Sequence, residues 1–131
     1  MGAWGTGILE NDTAGDWLFD FEENQSVEFL AETLDAVFED DYLDSDVASE
    51  ALAAIELVLF ILKDEDDDRF EDLELTLSKD QLDSPILKKC IKCIERIQDK
   101  NNNELYELWE ESDSFEEWKT NIVELGNRIK G

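Results

Sequence analysis

The chain has no histidine in its 131 residues, a single proline, two cysteines and one methionine. Each scarcity excludes something. Without histidine the commonest general base is missing, and with it the usual catalytic triads and most zinc enzymology. Two cysteines do not build a disulfide framework, so a reducing compartment is expected. One proline leaves long helices unbroken. The longest apolar stretch, Ala51 to Leu62, is interrupted by Glu56 and is too short to span a bilayer, which takes ~20 residues. The opening residues carry no basic stretch followed by a long apolar run, so no secretory signal is expected and the chain reads as cytoplasmic. Positive charge is scarce too, with 11 Lys and Arg.

What is present in excess is carboxylate. Thirty-six Asp and Glu leave a formal charge of −25. A surface this negative repels nucleic-acid phosphate and anionic lipid, so neither nucleic acid nor membrane is an expected partner. Apolar residues still make up 42% of the chain, four of them Trp and seven Phe, enough for a packed core. The charge is lopsided. Residues 1–74 hold 24 acidic and two basic residues; residues 75–131 hold 12 and nine. Such a surface can serve solubility alone. It can also speed encounter with a cationic partner.

The periodicity predicts an all-α fold, a single-domain bundle of about six helices over residues 1–131, with an extended Gly/Trp-rich N-terminal arm anchored by Trp4. Asp12 or Thr13 is placed to cap a first helix through Trp17 and Phe21. Ser26 opens a second, whose stripe Val27, Leu30, Ala31, Leu34, Val37 and Phe38 recurs at three and four residues. Asp46 or Ser45 caps a third, from about 47 to 63, apolar over most of its circumference. Ser84-Pro85 starts a fourth, reaching about Lys100, because proline fits the first helical turn. Asn101 to Asn103 end it, and two helices follow, the last capped by Ser112 or Ser114. Residues 70–80 fit neither helix nor strand cleanly.

Chemical motifs are weak. Cys90 and Cys93 form a C-x-x-C in mid-helix with no other Cys or His to complete a metal site, and read as core packing. The run Asp64 to Asp68 has Arg69 and Leu75 where a calcium loop needs Gly and Glu. Asp12, Asp16 and Asp20 fall on one helix face and read as solvated. No nucleophile–base pair is visible, so neither an enzyme nor a cofactor is expected. Lys88, Lys92, Arg96 and Lys100, with Lys89 beside them, make a basic helix stripe. It either pairs with the acidic half of the chain or forms a second contact surface.

The block Met1-Gly2-Ala3-Trp4-Gly5-Thr6-Gly7, followed by Glu10-Asn11-Asp12-Thr13-Ala14 and Asp16-Trp17, resembles a bacterial family catalogued as domain of unknown function 4259. Glu50-Ala51-Leu52-Ala53-Ala54, Leu108-Trp109-Glu110-Glu111-Ser112 and Glu116-Glu117-Trp118 look like it as well. The resemblance implies a small, mainly helical bacterial protein and carries no activity over. By association, proteins of this size and acidity are frequent among the immunity proteins of interbacterial toxin systems. Gly5, Gly7, Asn11, Asp12, Asp16 and Trp17 of the opening block either form a ligand site or close the core.

The leading expectation is a toxin-neutralising binding protein. Its partner would be a cationic toxin domain of the nuclease kind, blocked by charge and bulk. The binding residues would be Glu39, Asp40, Asp41, Tyr42, Leu43, Asp44, Asp46, Asp64, Glu65, Asp66, Asp67, Asp68 and Phe70. Tyr42, Leu43 and Phe70 would be the apolar anchors, because affinity concentrates in a few buried contacts. The alternatives are a self-associating adaptor and, less favoured, a metal-dependent enzyme built on the acidic clusters.

Overall fold

A computed structural model describes residues 7–9, 11–63, 68–71 and 73–130. Among them are six α-helices: α1 (Asp12–Glu23), α2 (Val27–Asp35), α3 (Ser45–Lys63), α4 (Ser84–Gln98), α5 (Glu104–Glu110) and α6 (Phe115–Lys130). No strand occurs among the described residues, and the fold is all-α. Residues 1–6 and 10 of the expected N-terminal arm, Trp4 among them, lie outside the described residues; residues 7–9 bend and turn there, with Ile8 buried.

The third helix is the axis of the bundle. Twelve of its 19 residues are buried, and α1, α2, α4, α5 and α6 all pack on it. Ala48, Ala51, Ala53 and Ala54 keep its surface narrow, so neighbours approach on several sides. No helix among the described residues is long and apolar enough to cross a membrane. On the second contact layer, α4 packs against α6. Gly126 sits at that crossing, where an added Cβ would lie 3.0 Å from Ile94 Cγ2, which explains a residue that otherwise weakens a helix interior.

The helix ends follow local chemistry. Ser26 caps α2, accepting from Phe29 N–H at 3.0 Å. Asn11, rather than Asp12 or Thr13, caps α1, accepting from Ala14 N–H at 2.8 Å. Its extended backbone lets the side chain reach that amide, while Asp12 and Thr13 are already helical. Asp44 takes the role expected of Ser45 or Asp46, accepting from the N–H groups of Asp46 and Val47. Asp83 caps α4, and Pro85 sits in its first turn. Asn103 caps α5, accepting from Tyr106 N–H at 3.0 Å.

The apolar stripe of α2 breaks before its expected end. Residues 36–38 wind as a 3-10 turn, which advances each side chain further round the axis. Val37 stays buried and Phe38 swings out to 52% exposure. Residues 73–78 are coil. Their backbone is held by side chains of the α1–α2 corner: Gln25 Oε1 accepts from Thr76 N–H at 2.6 Å, and Glu22 Oε2 from Glu74 N–H at 2.8 Å. The alternation of Leu73, Leu75 and Leu77 thus marks packing of an extended segment and no sheet.

Cys90 and Cys93 are both free and buried. Burial pushes each thiol up to about 12, and Cys93 Sγ lies 3.3 Å from the Leu34 carbonyl as a donor. They are packing residues of the α2–α4 contact.

Candidate binding surface

The acidic connection between α2 and α3 is a rigid corner. Leu43 N–H donates to the Asn102 carbonyl at 2.7 Å, and Glu104 N–H donates to the Leu43 carbonyl at 2.9 Å. This short bridge pins the corner to the α4–α5 connection. Asn103 is fully buried beneath it, donating from Nδ2 to the carbonyls of Ile97 and Asp99. Asn102 adopts a φ of 49°, a left-handed conformation that Asn tolerates better than most residues. Arg96 reaches across from α4 and donates to the carbonyls of Asn102, Asn101, Asp99 and Asp41. Its guanidinium serves backbone oxygens there, leaving the carboxylates of the corner uncompensated.

On this frame Glu39, Asp40, Asp41, Asp44 and Asp46 are all exposed. None of them forms an ion pair with a described lysine or arginine. Tyr42 stands among them at 44% exposure, and Phe38 precedes them at 52%. The Tyr42 hydroxyl donates to Glu107 Oε2 at 3.2 Å. Loss of water and then the carboxylates of Glu107, Glu104 and Asp44 hold its phenol above the ordinary tyrosine range, so it stays a neutral donor.

The structure corrects two expected anchors. Leu43 is buried, because the bridge to Asn103 turns its side chain into the core. Phe70 is buried as well, its ring 4.7 Å from that of Phe60. Neither is available to a partner. The exposed aromatics of this corner are Tyr42 and, four residues before it, Phe38; Phe19, the most exposed aromatic among the described residues, lies on α1. Asp64, Glu65, Asp66 and Asp67 lie outside the described residues. Asp68 begins the 3-10 turn Asp68–Phe70.

The basic stripe of α4 divides. Lys89 pairs with Asp35 of α2 at 2.6 Å, and Arg96 is committed to carbonyls. Lys88, Lys92 and Lys100 are exposed, without an ion pair among the described residues. Among the described residues, the stripe therefore answers only part of the acidic half.

At the α1–α3 junction a second acidic group gathers. Thr13 Oγ1 donates to Asp46 Oδ1 at 3.2 Å. Glu50, half-buried one turn on, is held above the ordinary glutamate value by burial first, then by Asp46, Asp20 and Asp44. A raised folded-state value means the native chain holds that proton more tightly than the unfolded one. The stability this confers at low pH is lost as pH rises from the ordinary value of 4.5 through the raised one. Glu50→Gln is therefore expected to stabilise the chain slightly near neutral pH and not at all below that window. Urea midpoints of both chains on either side of the window check this.

Among the described residues no three His, Cys, Asp or Glu side chains are arranged to hold a metal ion. Asp12, Asp16 and Asp20 are exposed along α1.

The family model described as Domain of unknown function (DUF4259) matches residues 2–121. The chain belongs to that family. No curated protein and no solved structure matches it. The family match spans the acidic corner, the α1–α3 junction and the helices that frame both.

Proposed function

We propose that this DUF4259 chain is a stoichiometric protein-binding domain. Its acidic corner captures a cationic partner and covers that partner's working surface, as an immunity protein neutralises a toxin. A nuclease domain is the partner class that suits it best. A nuclease site must attract phosphate, so it is positively charged, and fixed carboxylates compete for that charge while the helical body excludes nucleic acid.

The observation that carries the reading is the pairing of two features on one braced corner. Five exposed carboxylates, none ion-paired among the described residues, flank Tyr42 along the chain, with Phe38 exposed just before them. Uncompensated charge gives fast encounter; exposed aromatic area gives retention. Solubility alone accounts for the charge and leaves the aromatics unexplained. The corner is also preorganised, so little ordering cost is added on binding.

Affinity capture from the source cell tests this. The full chain is expected to retain a basic protein in a one-to-one complex and to suppress that protein's activity on nucleic acid. Retention of only acidic or neutral partners would overturn it. A stable homodimer in sedimentation that covers Phe38 and Tyr42 would favour the self-associating adaptor instead.

A further inference from the structure

Beneath the N-termini of α1 and α3 lies a cavity of about 260 Å³. Its apolar wall includes Leu52 of α3, Trp109 of α5 and Trp118 of α6, the two indoles stacked with centroids 6.0 Å apart. Its polar wall includes Asn11, Thr13, Asp46 and Ser49. No lysine or arginine lines it among the described residues.

The state of each polar group narrows the ligand. Asn11 is used up: its oxygen caps Ala14 and its amide donates to the Ile8 carbonyl at 3.2 Å. Ser49 is not. It is 9% exposed, lines the cavity, and its hydroxyl has no hydrogen-bond partner among the described residues. The hydroxyl of this otherwise buried residue opens onto the cavity, where an entering molecule can bond it. Asp46 has one oxygen engaged by Thr13, while Oδ2 has no partner among the described residues. Both vacant groups can accept.

Helix N-termini ordinarily draw anions. Here that attraction is spent. The amides of Asp46 and Val47 are taken by Asp44, that of Ser45 by Glu104 at 2.9 Å, and that of Ala14 by Asn11. Asp20 and Asp44 act together with Asp46 on Glu50, so negative charge gathers at the junction that holds Asp46. An anion would meet like charge and few free donors; a cation would meet acceptors and indole rings, which favour positive charge over their faces.

We propose that this cavity binds a small primary amine with an apolar body, its ammonium between Asp46 and Ser49 and its body against Leu52, Trp109 and Trp118. The site shares Asp46 with the acidic corner and none of its exposed aromatics, since neither Phe38 nor Tyr42 lines it.

The test is titration of the full chain with phenethylamine, followed by tryptophan fluorescence and calorimetry. The neutral alcohol 2-phenylethanol and the anion 3-phenylpropionate serve as matched probes. Saturable one-to-one binding of the amine is expected, with the alcohol weaker by about tenfold or more and the anion silent. Asp46→Asn keeps the size of this exposed side chain and an oxygen for Thr13, and is expected to weaken the amine by about tenfold while the urea midpoint stays close to the parent's. Asp41→Asn, on the corner and away from the cavity, is expected to change it less than about twofold. Ser49→Val, which adds bulk inside the cavity, is expected to abolish it. Equal weakening by Asp41→Asn and Asp46→Asn would reduce the effect to general counterion attraction and overturn the site. Equal binding of amine and alcohol, or no saturation by roughly 10 mM amine, would overturn it too.

Discussion

Replacing Arg69 and Arg128 together by methionine is expected to cost the chain about 3–5 kcal/mol of stability. The reason is Glu56. It interrupts the most apolar stretch of the chain, lies on the most buried helix and is itself only 2% exposed. Its two oxygens are answered separately, Oε2 by Arg69 at 2.9 Å and Oε1 by Arg128 at 2.8 Å. Both arginines are part-exposed, so each reaches the buried carboxylate from the surface. Their joint removal strands a carboxylate in the core without a partner, and an unpaired buried charge is costly. Adding Glu56→Leu to the double replacement is expected to restore most of the stability, because a buried ion pair exchanged whole for apolar packing is often neutral or favourable. Urea denaturation of the double and triple variants decides the matter. An unchanged midpoint in the double variant would show that Glu56 finds water or another partner. The same triad has a structural consequence. Arg69 belongs to the 3-10 turn Asp68–Phe70, and Arg128 to the last turns of α6, so Glu56 ties both to the axis of the bundle.

The second large effect concerns the corner. Neutralising Glu39, Asp40, Asp41 and Asp44 as their amides is expected to slow capture of a cationic partner by about 10- to 1,000-fold at low salt. Asparagine at position 44 keeps an N-cap, so α3 retains its start. Dissociation is expected to change far less, because rim charges act mainly on encounter. Phe38→Ala with Tyr42→Ala is expected to do the reverse. Association stays close to that of the parent, and the complex falls apart faster by about 30-fold or more, the effect of losing about 2 kcal/mol of aromatic contact. A difference of that kind between the two variants separates steering from retention.

Much of this architecture was legible in the residue pattern, and the misses have particular causes. The helices announce themselves by apolar residues at three and four and by local caps: Ser26, Pro85 and the asparagines after α4. Cys90 and Cys93 read correctly as core residues because no further ligand exists to give them chemistry. Leu43 and Phe70 misled because each sits within or beside an acidic run, where an apolar residue looks like an exposed anchor. Their burial comes from distant partners, Asn103 and Phe60, which local composition does not reveal. Phe38 misled in the opposite sense. It lies on a clean helical stripe, but the last turn tightens and turns it outward. Glu56 stands out in the sequence as an interruption. Nothing local links it to an arginine 72 residues away. The cavity is the least legible feature, since α1, α3, α5 and α6 each contribute one wall and none carries a motif for it. Even so, the opening block that resembles the family includes Gly7, Asn11 and Thr13, three of its lining residues.

The central claim is that a braced, uncompensated anionic corner recruits a positively charged protein. Stopped-flow association of the captured partner with the parent chain and with the four-amide variant, over a range of salt, measures this most directly. The parent rate is expected to fall steeply with salt, and the variant to be slow at every salt with a nearly flat dependence. Coincident rates and slopes for the two chains would contradict the claim.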